Sequence, residues 1–266
     1  MLIIANGFPR SGSTKLYNLL QEELRKRENF VDLGYMTEAD LRERQDQIAK
    51  LLRKGQHALI KSHSITEEAL ADFRTVSDVR HYYTYRDLRQ TVLSAQRVWH
   101  LDKNQVAKLL QENIPILEEN LADPGCTSIS YSCLVDEPIP TLRSIMADLS
   151  ADLSDSQLIE ALENQESVAS NASLGRHKLL ALLSFLLQTL KRIVPFASQL
   201  RSILTTRQLN YLRLLYLGIN PRTALHPSHY AMKDYSKEEM AHAEALLNFA
   251  APDWAQLDLG NGSFNG

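Results

Sequence analysis

Three groups of residues in this chain have the types and spacing to act on an anionic group. The first is GFPRSGST, Gly7 to Thr14, directly after the apolar run Leu2-Ile3-Ile4-Ala5. The G-x-x-x-x-G-x-T pattern is that of a loop that cradles phosphate, with Ser13 standing where a nucleoside-triphosphatase loop has its Lys. That Lys reaches the β- and γ-phosphates, and the hydroxyl after it holds magnesium. Without the Lys, the loop suits a phosphate-like anion better than a magnesium-bound triphosphate. Arg10 supplies fixed positive charge from inside the loop. Gly7 and Gly12 allow close backbone approach, and Ser11, Ser13 and Thr14 add hydroxyl donors. The helix expected from Thr14 to about Arg27 turns its free N–H groups and positive dipole end towards the loop.

The second group is Lys61 and His63 in ALIKSHSI, at the carboxyl end of an expected strand. Ligands of open parallel sheets bind beyond those ends, and residues two apart share a face. An imidazole there can take a proton from an acceptor hydroxyl, and an ammonium can stabilise a transferring anionic group. The third group is Arg86 and Ser94 in HYYTYRDLRQTVLS, read as a strand, an Arg at its end, and a helix capped by Asp87. Eight residues are a little over two helical turns, which brings the guanidinium fork and the hydroxyl to one cleft.

The elements that must position these groups follow from periodicity. Strands are predicted at Leu2–Asn6, His57–Lys61, His81–Tyr85 and Thr127–Tyr131. Helices are predicted at Thr14–Arg27, Thr37–Lys54, Leu88–Val98, Lys103–Asn120, Ile139–Leu149, Ser154–Glu163 and Ser236–Phe249. This alternation implies an α/β fold with three layers, a parallel sheet covered by helices on both faces. A single domain over 1–266 is expected, with a basic, Leu-rich helical insertion at about 171–222 ahead of the C-terminal element. The tail, 260–266, reads as disordered.

Composition bounds the function classes. The chain has 266 residues, 44% hydrophobic, with net charge −3 and pI about 6.2, so bulk nucleic-acid binding is not indicated. Cys126 and Cys133 read as reduced thiols of a cytoplasmic protein, not as metal ligands. No run of about 20 apolar residues suggests a membrane span. Charge is uneven: residues 1–166 carry 26 acids against 19 bases, and residues 167–266 carry 6 against 10. Residues 174–222 therefore have three readings: a lid over an anionic acceptor, a peripheral contact with anionic membrane, or core helices with a solvated basic face.

Taken in order, these motifs resemble the sulfotransferases that use 3′-phosphoadenosine-5′-phosphosulfate (PAPS). FPRSGST resembles the family's 5′-phosphosulfate loop, and YRDLRQTVLS its 3′-phosphate element with Arg86 and Ser94. ALIKSHSI resembles its Lys-x-His strand. ISYSCLVDEPIPTLRSIMADL resembles its Tyr-x-x-Leu-x-x-x-Pro segment, with Tyr131, Leu134 and Pro138 matching. LHPSHYAMKDYSKEEM is similar to its C-terminal element. The resemblance implies a P-loop NTPase-like fold, PAPS as donor, no metal, and catalytic roles for His63, Lys61 and Arg10. It implies donor binding by Arg10, Ser11, Gly12, Ser13, Thr14, Arg86, Ser94 and Tyr131. The chain departs from the family in three ways. Ser132 replaces a common Glu, Lys15 stands where an aromatic or aliphatic residue is usual, and the Arg-Lys-Gly triplet is absent. Arg222, Ser228, His229 and Lys233 are the candidates to replace that triplet.

The reaction implied is in-line sulfuryl transfer to a hydroxyl or amine of a small-molecule, carbohydrate or lipid acceptor. Two other readings compete: a magnesium-dependent small-molecule or nucleoside kinase with a degenerate loop, and an inactive nucleotide-binding relative. The missing loop Lys speaks against the first, the Lys61–His63 pair against the second.

Overall fold

A computed structural model describes residues 1–151, 153–163, 235–257 and 259 of the chain. The chain divides into two units, and these residues lie almost wholly in the unit formed by Met1–Ala161 and Met232–Gly266. The basic segment at 171–222, the tail at 260–266, and Arg222, Ser228, His229 and Lys233 lie outside the described residues.

The unit is built on five parallel strands: β1 (Leu2–Gly7), β2 (Phe30–Tyr35), β3 (His57–Lys61), β4 (Val79–Tyr85) and β5 (Cys126–Ser130), ordered β2-β3-β1-β4-β5. The helices among the described residues include α1 (Ser13–Leu24), α2 (Glu38–Glu43), α3 (Gln45–Arg53), α4 (Glu67–Arg74), α5 (Leu88–Trp99), α6 (Lys103–Ala122), α7 (Tyr131–Asp136), α8 (Pro138–Asp148) and α9 (Lys237–Ala250), and residues 155–163 are helical as well.

Buried parallel strands read as continuous apolar runs, and β1 is buried at every position. Leu2, Ile4, Ala58, Ile60 and Val79 pack on one face against Leu41, Ile48 and Leu52 of α2 and α3 and Leu70 and Phe73 of α4. Further along the same face, Tyr83 and Tyr85 pack against α5, α6 and α9 through Val92, Leu110, Leu117 and Leu247. The other face meets α1. There, at the end of α8, Asp148 takes hydrogen bonds from Arg80 and Tyr82 at 2.8 and 2.6 Å. The expected three layers are present.

Several elements differ from the sequence reading. The β2 segment, FVDLGY, has no clean period. It is a half-buried edge strand whose pairing slips between Asp32 and Gly34, with Gly34 at φ 74°. Residues 37–54 form two helices that meet at Arg44. The short α4 is needed because two parallel strands cannot be joined by a tight turn. Tyr131 is not the end of a strand. Ser130 caps a new helix through the N–H of Cys133, and Tyr131 is its first residue.

The strand order decides where a ligand can sit. After β1 the chain runs through α1 to β2, on one side. After β4 it runs through α5 and α6 to β5, on the other. The loops after β1 and β4 thus diverge and leave a crevice beyond their carboxyl ends.

Candidate active site

The loop after β1 enters that crevice. Phe8 N–H and the Ser11 hydroxyl both donate to the carbonyl of Thr84 in β4, at 3.0 and 2.7 Å. Gly7 lies so close to β4 that a Cβ there would sit 2.0 Å from Thr84 Oγ1. Arg10 and Gly12 take positive φ, 70° and 98°. Gly12 is the N-cap of α1, no side chain caps that helix, and its first turn holds no acid. The N–H groups at Ser13 and Thr14 therefore have no intrahelical acceptor, an arrangement suited to an anion.

Ser11 has a different part from the one expected. Its hydroxyl is fully buried and spent on Thr84, and its N–H is spent on Phe8 O at 3.0 Å. It fastens the loop to β4 and has no donor left for an anion. Tyr131 packs against Gly12, where a Cβ would meet its ring at 2.8 Å. Its ring also lies under the Arg86 guanidinium, 4.3 Å from centroid to Cζ.

Arg86 is buried, and its Nε donates to Gln90 Oε1 at 2.9 Å, while Asp87 caps α5 as expected. Ser94, two turns along α5, accepts a hydrogen bond from Arg10 Nε at 3.1 Å. The first and third groups, 84 residues apart, are thus in direct contact. Burial pushes Arg10 down to about 10, Tyr131 opposing and nearby Arg86 adding to the fall, so it stays cationic at neutral pH.

Lys61 ends β3, and its Nζ lies 3.4 Å from His63 Nε2. His63 Nδ1 is 2.7 Å from the carbonyl of Gly7, which can only accept. The ring proton therefore sits on Nδ1, and Nε2 keeps its lone pair. Burial, with Arg10 second, lowers Lys61 to about 8. Burial and the Lys61 charge push His63 down to about 3, against a small opposing pull from the Gly7 carbonyl.

Two aromatic residues complete the surroundings and were not picked out from sequence. Tyr35, 54% exposed at the end of β2, has its ring 5.4 Å from Lys61 Nζ and 5.8 Å from the His63 ring. Trp99, at the end of α5, lies 5.6 Å from Arg10 Cζ. Tyr35 was hidden because its strand was; Trp99 is five residues past Ser94, off that residue's helix face, so no helical spacing links the two.

No family model matches this chain, and no curated protein does either. Among solved structures, mouse sulfotransferase SULT7A1 complexed with PAP superposes with a TM-score of 0.50 at 12% identity, over 96% of this chain and 85% of that one. The fold is that of the sulfotransferases. Retinol dehydratase in complex with androsterone and inactive cofactor PAP matches at a TM-score of 0.49 and 13% identity, over 95% and 80% of the two chains. The sulfotransferase domain of the Synechococcus PCC 7002 olefin synthase matches at 0.39 and 20%, over 60% and 76%. On the sulfotransferase fold, the loop after β1, the Lys61–His63 pair and the Arg86–Ser94 pair all stand at the carboxyl edge of the sheet.

Proposed function

We propose that this protein transfers a sulfuryl group from PAPS to an acceptor hydroxyl or amine. The observation that carries this reading is the Arg10–Ser94 contact. It joins a loop suited to a 5′-phosphosulfate to an Arg–Ser pair suited to a second, separate phosphate. A nucleotide phosphorylated at both the 3′ and 5′ positions fits two such cationic clusters. A nucleoside triphosphate bears its phosphates on one side only, and the loop lacks the Lys that would grip them.

In this reading the N–H groups of Ser13 and Thr14, the Thr14 hydroxyl and Arg10 hold the 5′-phosphosulfate. Arg86, Ser94 and the far side of Arg10 hold the 3′-phosphate, with Gly12 and Tyr131 shaping the floor between them. Lys61 stabilises charge on the sulfuryl or leaving oxygens, and His63 Nε2 takes the acceptor's proton. In the free protein that nitrogen is a weak base, because burial and Lys61 hold the ring at about 3. A bound polyanion raises it by offsetting the cations around it, so base strength appears only once the donor is seated. The work is positioning and electrostatics, as in phosphoryl transfer. Tyr35 gives the acceptor an aromatic wall beside His63. The acceptor is a small molecule, carbohydrate or lipid.

The test is thermal unfolding with adenosine 3′,5′-bisphosphate, ADP or ATP, each with magnesium or a chelator. Bisphosphate at about 100 times its Kd stabilises by about 2.7 kcal/mol, on the order of 5 °C for a chain of this size. A chelator-insensitive shift with the bisphosphate alone is the expected result. A magnesium-dependent shift with ATP and none with the bisphosphate would assign the site to a kinase.

A further inference from the structure

Asn6 stands near the end of the central strand β1 and is fully buried. Asn is a poor strand former, and a buried amide is costly for each polar atom left unmet, as Asn6 Oδ1 is here. Its Nδ2 donates to the carbonyl of Ile65 at 2.6 Å and to His81 Nε2 at 3.1 Å. His81, 2% exposed, is kept neutral by burial, which lowers it to about 4 and leaves Nε2 free to accept. The Ile65 carbonyl takes a second, longer bond from Asn120 Nδ2 at 3.4 Å.

Ile65 lies two residues past His63. The backbone pairing of β1 with β3 runs as far as Ala5 opposite Lys61, and the Ser62 N–H adds one more bond, to Ala5 O at 3.1 Å. There the ladder stops, because the chain after Ser62 turns away towards α4. Two side-chain bonds continue it: Asn6 to the Ile65 carbonyl, and His63 Nδ1 to the Gly7 carbonyl. The first comes from the residue preceding Gly7, so both ends of the His63 contact are tied through Asn6.

We propose that Asn6 is a positioning residue that extends the β1–β3 pairing past the sheet edge and so holds His63 against Gly7 and Lys61. It touches His63 nowhere and acts through Ile65 and its own backbone link to Gly7. The inference rests on the function proposed above only for the reaction that His63 serves. The charged and titratable groups around the ring are Lys61 from β3, Arg10 from the loop and Tyr35 from β2. A ring released from its place escapes all three together.

The experiment is NMR titration of the His63 ring with steady-state kinetics, in the wild type, Asn6→Ala and Asn120→Ala. In the wild type the ring stays neutral down to about pH 3. In Asn6→Ala it titrates nearer the ordinary histidine value of about 6.5. The same variant loses about 10- to 100-fold in kcat, and KM for the donor and the bisphosphate thermal shift stay near wild type. Asn120→Ala, which keeps the Asn6 bond and removes the longer one along with the Asn120 contacts to Ile116 O and Cys126 Sγ, moves both readouts less in the same direction and serves if Asn6→Ala does not fold. A folded Asn6→Ala whose His63 titrates as in the wild type overturns the inference, as does an equal loss in kcat and donor affinity. A wild type without transfer activity would sink the sulfotransferase reading alone, because the ring titration needs no turnover.

Discussion

Lys61 and His63 are the residues whose chemistry is most altered by their surroundings. A free ammonium titrates near 10.4 and a free imidazole near 6.5; here burial, with Arg10 acting on Lys61 and Lys61 on His63, brings them to about 8 and about 3. This gives an unusual pH profile. Because kcat/KM reports groups of the free enzyme, it should show no acid limb near pH 6.5, as His63 is already neutral there. It should fall above about pH 8 as Lys61 loses its proton. Lys61→Arg should keep the charge and remove the alkaline fall over pH 7–10, and a fall that persists in that variant would take Lys61 out of the profile. General-base catalysis is worth about 10²–10⁴-fold, so His63→Ala should lose about that much in kcat while bisphosphate binding holds. Near-full turnover would remove His63 from the base role.

At the scale of elements, the loop after β1 works because three neighbours fix its path: β4 through Thr84, α7 through Tyr131, and α5 through Ser94. Ser11→Ala should cost about 1 kcal/mol of stability and leave the bisphosphate shift nearly unchanged, since that hydroxyl faces Thr84. A lost shift with stability intact would return Ser11 to the ligand. Gly12→Ala should behave otherwise. Its Cβ would meet the Tyr131 ring at 2.8 Å in a left-handed backbone of φ 98°, and Tyr131 in turn supports Arg86. About 1–3 kcal/mol of stability and most of the bisphosphate shift should go together, read from one set of melting curves.

At the scale of the whole molecule, the sheet carries two neutral histidines, His63 at its carboxyl edge and His81 within it, and half-buried His57 is lowered as well, chiefly by burial. In the unfolded chain each takes up a proton near pH 6.5, whereas the folded protein leaves His81 neutral to about pH 4. The unfolded state then binds more protons, so stability is complete above about pH 6.5 and drains away as pH falls towards 4. Each such group contributes at most about 1.4 kcal/mol per pH unit. Denaturant unfolding between pH 7.5 and 4.5 should show this loss, and His81→Gln should make it shallower. An unchanged slope in that variant would mean that His81 titrates normally. Among the described residues no helix is long and apolar enough to cross a membrane.

Local physics was enough for much of this protein. The apolar run Leu2–Ala5, the glycine-spaced loop after it, the Lys-x-His pair and the capped helix behind Arg86 each depend on neighbours in sequence. Their periods, caps and backbone freedom can be read residue by residue, and the parallel, helix-covered sheet follows from their alternation. The tertiary structure decided what depends on register and burial. The pairing of β1 with β4 spent the Ser11 hydroxyl on Thr84, a choice invisible in a loop of three similar hydroxyls. The divergence of the chain after β1 and β4 brought Arg10 onto Ser94 across 84 residues. The weakly patterned edge strand β2 put Tyr35 beside the Lys61–His63 pair. Asn6 looks like a misplaced polar residue in an apolar strand until the fold sets the Ile65 carbonyl and His81 on either side of it. Long-range contacts of that kind leave no period in the chain, because neither partner's sequence surroundings constrain the other.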